Sequence, residues 1–290
     1  MEAFLHQVFL GLASGSIYGG VALALVMIFK STHHVNFAQG ELAMFTTYVA
    51  WSLIQAGVPY WVAFALTLGV AFALAAGIQL VILQRVQHAP VLTVVIVFIG
   101  LLITLNAMAG WIFSYTIKPF PSPFSPDAWY GTSYFSPHQV GMTVVTVVTL
   151  SLVYLFFKHT RLGLAMRASA INPQSSRLVG VRVDLMLALG WGLAGLLGAV
   201  AGMMAAPVVY LEPHMMGGIL VYALAAALLG GIDNPWGAPI GGFIVGVLEN
   251  VAGAYLVGTQ IRLAVALLII VMVLVFKPSG LFGRRSVVRV

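Results

Sequence analysis

Polar side chains gather where the chain enters an apolar stretch, in the sequence NFAQGE at residues 36–41. Asn36 can cap a helix and Gln39 can reach back to it, as in a capping box. Glu41 would then lie near the positive N-terminus of that helix. The same polar groups, at a break in a helix, also suit a translocation pathway or gate. This candidate site comprises Asn36, Phe37, Gln39, Gly40 and Glu41.

Glu249 is the only acidic residue that we place inside an apolar segment, and Asn250 follows it directly. A carboxylate in mid-membrane costs roughly 2.5–3.5 kcal/mol, so such residues usually face a partner or the bundle interior. Arg262 is the nearest plausible partner along the chain. We expect a structural pair, and a proton- or ion-coupling role is the alternative.

Arginines recur through the polar loop at residues 158–184, which Asn172 and Pro173 interrupt. Residues 166–171 and 174–179 could each form a short helix on the membrane surface. The loop is either a solvated basic segment beside anionic lipid or a docking element for a cytoplasmic partner. Its candidate residues are Arg161, Arg167, Asn172, Arg177 and Gly180.

Several enzyme signatures are absent from the sequence. There is no phosphate loop of the form GxxxxGK[ST], no HExxH and no GxSxG. ATP hydrolysis by a phosphate loop is therefore excluded for this chain. The sequence has no cysteine, which excludes thiol catalysis and cysteine-ligated metal sites.

The composition is that of a membrane protein. Hydrophobic residues make up 61% of the 290 residues and charged residues only 7%, compared with about 25% charged residues in soluble domains. Although the net charge is +6, the basic residues lie beside apolar segments without interleaved aromatic residues. We therefore expect a lipid bilayer, and no nucleic acid, as the surrounding partner.

Nine apolar segments predict an all-α polytopic protein with eight or nine transmembrane helices in a single domain, residues 1–290. Each long segment can cross a bilayer. A loop at residues 114–137 is too short and irregular to form a domain. The predicted segments are 8–29, 41–56, 60–84, 91–113, 138–157, 185–206, 216–231, 237–257 and 261–276.

The distribution of basic residues predicts the orientation. Of the 13 lysines and arginines, all except Lys118 and Arg262 fall on one side if the N-terminus lies outside. Cytoplasmic loops carry such an excess of positive charge. We therefore expect the N-terminus outside and the C-terminus in the cytoplasm.

The segment lengths also indicate an inverted repeat. When the first four segments are aligned with the last four, the short segment 41–56 matches the short segment 216–231, and the two sets run in opposite directions. Interrupted helices at matching positions are typical of transporters. Glycines four residues apart, such as Gly11, Gly15 and Gly19 or Gly242 and Gly246, predict close helix contacts.

Five motifs, in order along nearly the whole chain, resemble the membrane permease of bacterial branched-chain amino-acid ABC importers, which are related to ribose-type sugar permeases. They are GLASGSIY at 11–18, VNFAQGEL at 35–42, TRLGLAMRA at 160–168, GGIDNPWGAPIG at 230–241 and FKPSGLFG at 276–283.

The resemblance implies half of a translocation pathway in the bacterial cytoplasmic (inner) membrane. It implies a second permease subunit, two cytoplasmic ATPase subunits and an extracytoplasmic solute-binding protein as partners. This chain would bind no cofactor, since ATP and Mg²⁺ would be held by the ATPases. The resemblance also implies import of branched-chain amino acids or similar small polar solutes, such as urea or amides.

The chain departs from the family pattern at Gln39, where histidine is more usual, and at residues 175–177, where small alanines are usual. An ion-coupled secondary transporter is the main alternative, although it would need more buried ionisable groups than Glu249 alone. A passive channel would need a pore-lining ring, and an intramembrane enzyme would need a nucleophile–base pair or a metal cluster.

Overall fold

The computed structural model describes residues 2–32, 34–86, 89–124, 136–256, 258 and 261–283. Its helices are α1 (Glu2–Thr32), α2 (Gln39–Gln55), α3 (Tyr60–Ile78), α4 (Gln84–Val86), α5 (Val91–Phe113), α6 (Pro137–His159), α7 (Arg161–Ile171), α8 (Pro173–Leu178), α9 (Val183–Val209), α10 (Met216–Gly230), α11 (Gly237–Tyr255) and α12 (Arg262–Phe276).

The prediction of an all-α polytopic membrane protein is confirmed. Within the described residues, six helical segments are long and apolar enough to span a bilayer, and α10 and α12 are shorter apolar helices. Each of the nine predicted segments corresponds to a helix, and α2 and α10, which match the segments predicted as short, are short. The sequence did not indicate that α3 and α4 are joined by a π-helical stretch at Gln79–Leu83.

The ends of the helices lie at two faces. The first, which we call the basic face, contains the helix ends near Lys30, Arg85, Lys158 and Lys277. The second, which we call the opposite face, contains the loop around Lys118. There the backbones of Lys118 and Leu211 pair through two hydrogen bonds, of 2.9 and 3.1 Å. The connection between α5 and α6 is thereby tied to the connection between α9 and α10.

α1 and α9 form the centre of the bundle and are mostly buried, whereas fewer than a third of the residues of α3, α5 and α6 are buried. α1 packs along α11, and α3 packs along α9. Likewise, α2 packs against α9 and α10 packs against α1. If α1, α2 and α3 are matched with α9, α10 and α11, the contact of α1 with α11 corresponds to the contact of α9 with α3. In the same way, the contact of α2 with α9 corresponds to the contact of α10 with α1. The predicted inverted repeat requires this correspondence.

Glycines form the contact between α1 and α11, as predicted. A methyl group added at Gly15 would lie 2.8 Å from both the carbonyl oxygen of Gly242 and the Cα of Phe243. A methyl group at Gly246 would collide with the backbone of Gly11 and Gly15. The two backbones therefore touch directly. Close contacts of this kind hold helices together in a membrane, where the hydrophobic effect does not drive helix association.

Gly15→Ala should therefore destabilise the protein, because one of the two helices must move to admit the methyl group. Overpacking of this kind costs about 1–3 kcal/mol, equivalent to a decrease of about 3–8 °C in the midpoint of thermal unfolding in nanodiscs. Gly100→Ala is the matched control, since nothing lies within 4 Å of the added atom and alanine favours helix. Equal midpoints for the two variants would contradict the close-contact interpretation.

Candidate functional site

The candidate site lies at the interruption between α1 and α2. After α1 ends at the basic face, the chain turns back, and α2 begins at Gln39. The amide nitrogen Nε2 of Gln39 donates a hydrogen bond of 2.9 Å to the carbonyl oxygen of Ala194 in α9. Ala194 lies 11 residues beyond Val183, or roughly 16 Å along the helix. α2 therefore begins near the middle of the bilayer.

The predicted capping box at this helix start is wrong. Asn36 does not cap α2; its Oδ1 accepts from the backbone N–H of Ala38, at 3.0 Å. Gln39 points across to α9 instead of back along its own chain, and its side chain occupies the space above Gly198, where a methyl group would lie 2.7 Å from Nε2. The absence of a side chain at Gly198 thus leaves Gln39 the space to reach the carbonyl oxygen of Ala194.

Gly40 brings α2 into contact with a second interrupted helix. A methyl group at Gly40 would lie 3.3 Å from the Cβ of Met216 and 3.6 Å from that of Leu220, both in α10. α10 begins at Met216, after a connection from the opposite face in which buried and exposed residues alternate. The first turns of these two short helices therefore meet inside the protein. Phe37, in the preceding turn, keeps 37% of its surface exposed.

Glu41, in the first turn of α2, belongs to a polar group that the sequence analysis did not identify. Its carboxylate oxygen Oε2 accepts from Nδ2 of Asn106 in α5, at 3.1 Å. The same nitrogen lies 2.7 Å from the carbonyl oxygen of Pro213 and 3.4 Å from Nδ1 of His214. One signal could have revealed this group, because Asn106 carries the only side-chain amide in the predicted segment 91–113.

Glu249 lies within a second polar cluster. Arg262 Nη1 is 3.9 Å from its Oε1, as expected from the sequence. The hydroxyl of Tyr18 donates to its Oε2 at 2.9 Å, a contact that the sequence did not predict. Asn250 Nδ2 donates to the carbonyl oxygen of Gly246 at 3.0 Å and lies 3.5 Å from Glu249 Oε2. Glu249 is therefore ion-paired and hydrogen-bonded within the chain.

The arginine loop forms two short helices on the basic face, as predicted, although α7 begins earlier than expected, at Arg161. Thr160 Oγ1 caps α7 by accepting from the N–H of Gly163, at 2.9 Å. Asn172 Oδ1 caps α8 by accepting from the N–H of Ser175, at 3.0 Å. Asn172 thus starts the second helix as well as ending the first. Gly180 turns the chain into α9 with φ of +85°.

The outward surface of this loop combines charge with aliphatic side chains. Arg161 and Arg167 are exposed. Ile171, Leu178 and Val179 are also exposed, whereas Met166, Ser169 and Ser176 are buried. Arg177 already pairs with Asp184 at 3.3 Å.

Nowhere in the described ranges do three or more His, Asp or Glu side chains lie close enough to hold a metal ion. The polar groups around Glu41 and Glu249 are each built on a single carboxylate. Their arrangement suits hydrogen bonding and charge recognition.

Comparisons with known proteins identify the family. The family model for the permease component of branched-chain amino acid transport systems matches residues 7–276. The high-affinity branched-chain amino acid transport system permease protein LivH of Salmonella typhimurium is 29% identical, covering 99% of this chain and 98% of the relative. BraD of Pseudomonas aeruginosa, a permease of the same description, is 30% identical with the same coverage.

More distant similarities extend beyond this group. The ribose import permease protein RbsC of Escherichia coli is 29% identical over 79% of this chain and 72% of its own length. Among solved structures, PsaBC from Streptococcus pneumoniae in complex with Fab matches with a TM-score of 0.48 and 14% identity, covering 93% of this chain and 91% of that one. On the match to residues 7–276 and to LivH and BraD, the chain belongs to the family of permease components of branched-chain amino acid transport systems.

Proposed function

We propose that this chain is the permease subunit of an ATP-driven importer and forms half of its translocation pathway. The observation that carries the proposal is the full-length match to permeases of branched-chain amino acid transport. The solutes are branched-chain amino acids or similar small polar molecules. The partners are a second permease subunit, two cytoplasmic ATPases that bind ATP and Mg²⁺, and an extracytoplasmic solute-binding protein.

The solute path passes the first turns of α2 and α10, where Asn36, Gln39 and Glu41 bring polar groups to the middle of the bilayer. Broken helices that meet near the midplane are a usual way to build a solute site in a transporter. The contact of Gly40 with Met216 and Leu220 supports this location. Phe37 precedes this contact along the chain and keeps 37% of its surface exposed. In this proposal its side chain is the gate.

The helices α7 and α8 form the docking element for the ATPases. Arg161 and Arg167 supply positive charge, and the exposed Ile171 and Leu178 supply apolar surface. Interfaces commonly combine aliphatic contacts with arginine anchors. Arg177 contributes less to docking in this proposal, because Asp184 already pairs with it.

Ion-coupled transport remains the competing function, and Glu249 is the residue on which it would depend. The contacts of Glu249 with Arg262 and Tyr18 favour the structural role. A carboxylate that is bound by an arginine and a hydroxyl is poorly placed to exchange protons during each cycle. The ATP-driven proposal therefore needs no titration of Glu249.

The first test is uptake of labelled leucine by the complete transporter in vesicles. We expect uptake to require ATP and the solute-binding protein and to persist when ion gradients are abolished by ionophores. Uptake driven by an ion gradient without ATP would overturn the proposal. In the same assay, Glu249→Gln should keep KM within about twofold of wild type and leave the pH profile unchanged. A pH-dependent step that disappears in Glu249→Gln would instead support ion coupling.

Orientation is tested with single cysteines, because the natural sequence contains none. Thr116, beyond α5, and Ser175, in α8, are both exposed. We expect a cysteine at position 116 to react with an impermeant thiol reagent added to intact cells. A cysteine at position 175 should react only after the membrane is permeabilised. Reaction of both cysteines from outside, or the reverse pattern, would contradict an extracytoplasmic N-terminus.

Coupling to the ATPases is tested by charge reversal. Arg167→Glu should reduce ATPase co-purification, or leucine uptake per ATP hydrolysed, by about tenfold, since loss of an interface arginine commonly costs more than 1 kcal/mol. Arg85→Glu is the matched control, because Arg85 is exposed on the same face outside α7 and α8. Normal coupling in Arg167→Glu, or an equal loss in both variants, would exclude this loop as the docking element.

A further inference from the structure

The group around Glu41 has more hydrogen-bond acceptors than donors. Asn106 Nδ2 lies within reach of Glu41 Oε2, the carbonyl oxygen of Pro213 and Nδ1 of His214, at 3.1, 2.7 and 3.4 Å. An amide nitrogen has only two hydrogens. With the imidazole hydrogen of His214 on Nε2, so that Nδ1 is an acceptor, one of the three acceptors is therefore left without a donor from Asn106. The opposite amide orientation is excluded, since it would place an oxygen against the carboxylate and the carbonyl.

The same group contains no lysine or arginine among the described residues. Only 8% of the surface of Glu41 is exposed, and no lysine or arginine forms an ion pair with it among the described residues. Glu249, the other buried carboxylate, has Arg262 beside it. Since a carboxylate within the membrane is costly without a partner, and the only base beside Glu41 among the described residues is the titratable ring of His214, Glu41 has no permanent cation.

The group can be reached by a solute. His214 is exposed, and Gly217 and Gly218, which follow in α10, are exposed with open space above them. Asn106 is seven residues before the end of α5 at Phe113, or roughly 10 Å along the helix. The group therefore lies beneath the opposite face, on the route to the meeting point of α2 and α10.

We propose that Glu41, Pro213 and His214 bind a primary ammonium group, the α-ammonium of the transported amino acid. Such a group has three N–H donors and one positive charge, which match the three acceptors and the carboxylate. Asn106 positions Glu41 and gives up part of its hydrogen bonding when the ammonium enters. The proposal rests on the proposed function and sharpens it, because neutral amides and urea offer no cation to Glu41.

Ligand binding to the purified full-length chain in nanodiscs tests the site without the partner subunits. The probes are isoamylamine, which carries the leucine side chain and an ammonium, and isocaproamide and isocaproate, which lack the ammonium. A ligand that binds only the folded state raises the unfolding midpoint. We expect isoamylamine to raise it by about 2–4 °C at saturation, and the amide and the carboxylate to leave it unchanged.

Variants test whether Glu41 and His214 are responsible for the increase in the unfolding midpoint. Glu41→Gln should abolish the shift caused by isoamylamine, and Glu249→Gln should retain it, as the matched substitution of another buried carboxylate. If Glu41→Gln does not fold, His214→Ala replaces it as the test, because His214 is exposed; this variant should weaken the shift. An equal shift with isocaproamide, or a full shift in Glu41→Gln or His214→Ala, would overturn the proposal. An equal shift with sodium or potassium chloride would also overturn it, in favour of an inorganic cation site.

Uptake by the complete transporter separates this inference from the proposed function. Glu41→Gln should raise KM for leucine by at least about tenfold, as expected from loss of a charged hydrogen bond. If wild type imports leucine and Glu41→Gln leaves KM unchanged, the ammonium site is wrong and the proposed function stands. If wild type imports no amino acid while isoamylamine still stabilises the chain, the proposed function is wrong and the ammonium site stands.

Discussion

Within the hydrocarbon of a bilayer, each backbone N–H and C=O must find its partner in the protein, and this requirement decides where the chain can leave a helix. α2 and α10 both begin inside the bundle, so the connections that lead into them must be enclosed by other helices. Asn36 meets the requirement by accepting from Ala38, and Leu211 meets it by pairing with Lys118. α1 and α9, the most buried of the long helices, form the wall that encloses these connections.

The packing of α1 and α9 in this wall depends on glycines, which have no side chain. Gly15 and Gly246 let α1 and α11 touch through their backbones, and Gly198 leaves room for Gln39 above α9. Close packing of this kind concentrates the few polar groups at defined points, because there is no space for water along the helix contacts. The two buried carboxylates occupy two such points, and their surroundings give them different roles. Arg262 compensates Glu249 internally, whereas Glu41 faces an exposed histidine and neutral hydrogen-bonding groups.

The spans, the basic face and the two short helices of the arginine loop could be predicted from the sequence, because they depend on apolar length and on charge at the ends of spans. The partner of Glu249 could also be predicted, since Arg262 is close along the chain. The contacts of Glu41 could not, because Asn106 and His214 are 65 and 173 positions away and only the folding of α5 and α10 brings them together. The capping box failed for the same reason, since a local rule cannot anticipate that Ala194 lies opposite Gln39.

The pairing of Lys118 with Leu211 has a mechanical consequence. These two hydrogen bonds connect the loop on the opposite face to the strand-like approach to α10, only two residues before Pro213. Lys118 Nζ also lies 4.7 Å from the ring centre of Trp51, near the end of α2. A displacement of this loop therefore pulls on both interrupted helices at once. A contact on the opposite face that shifts Lys118 is thus transmitted to the start of α10 through the hydrogen bonds with Leu211, and to the end of α2 through the ring of Trp51.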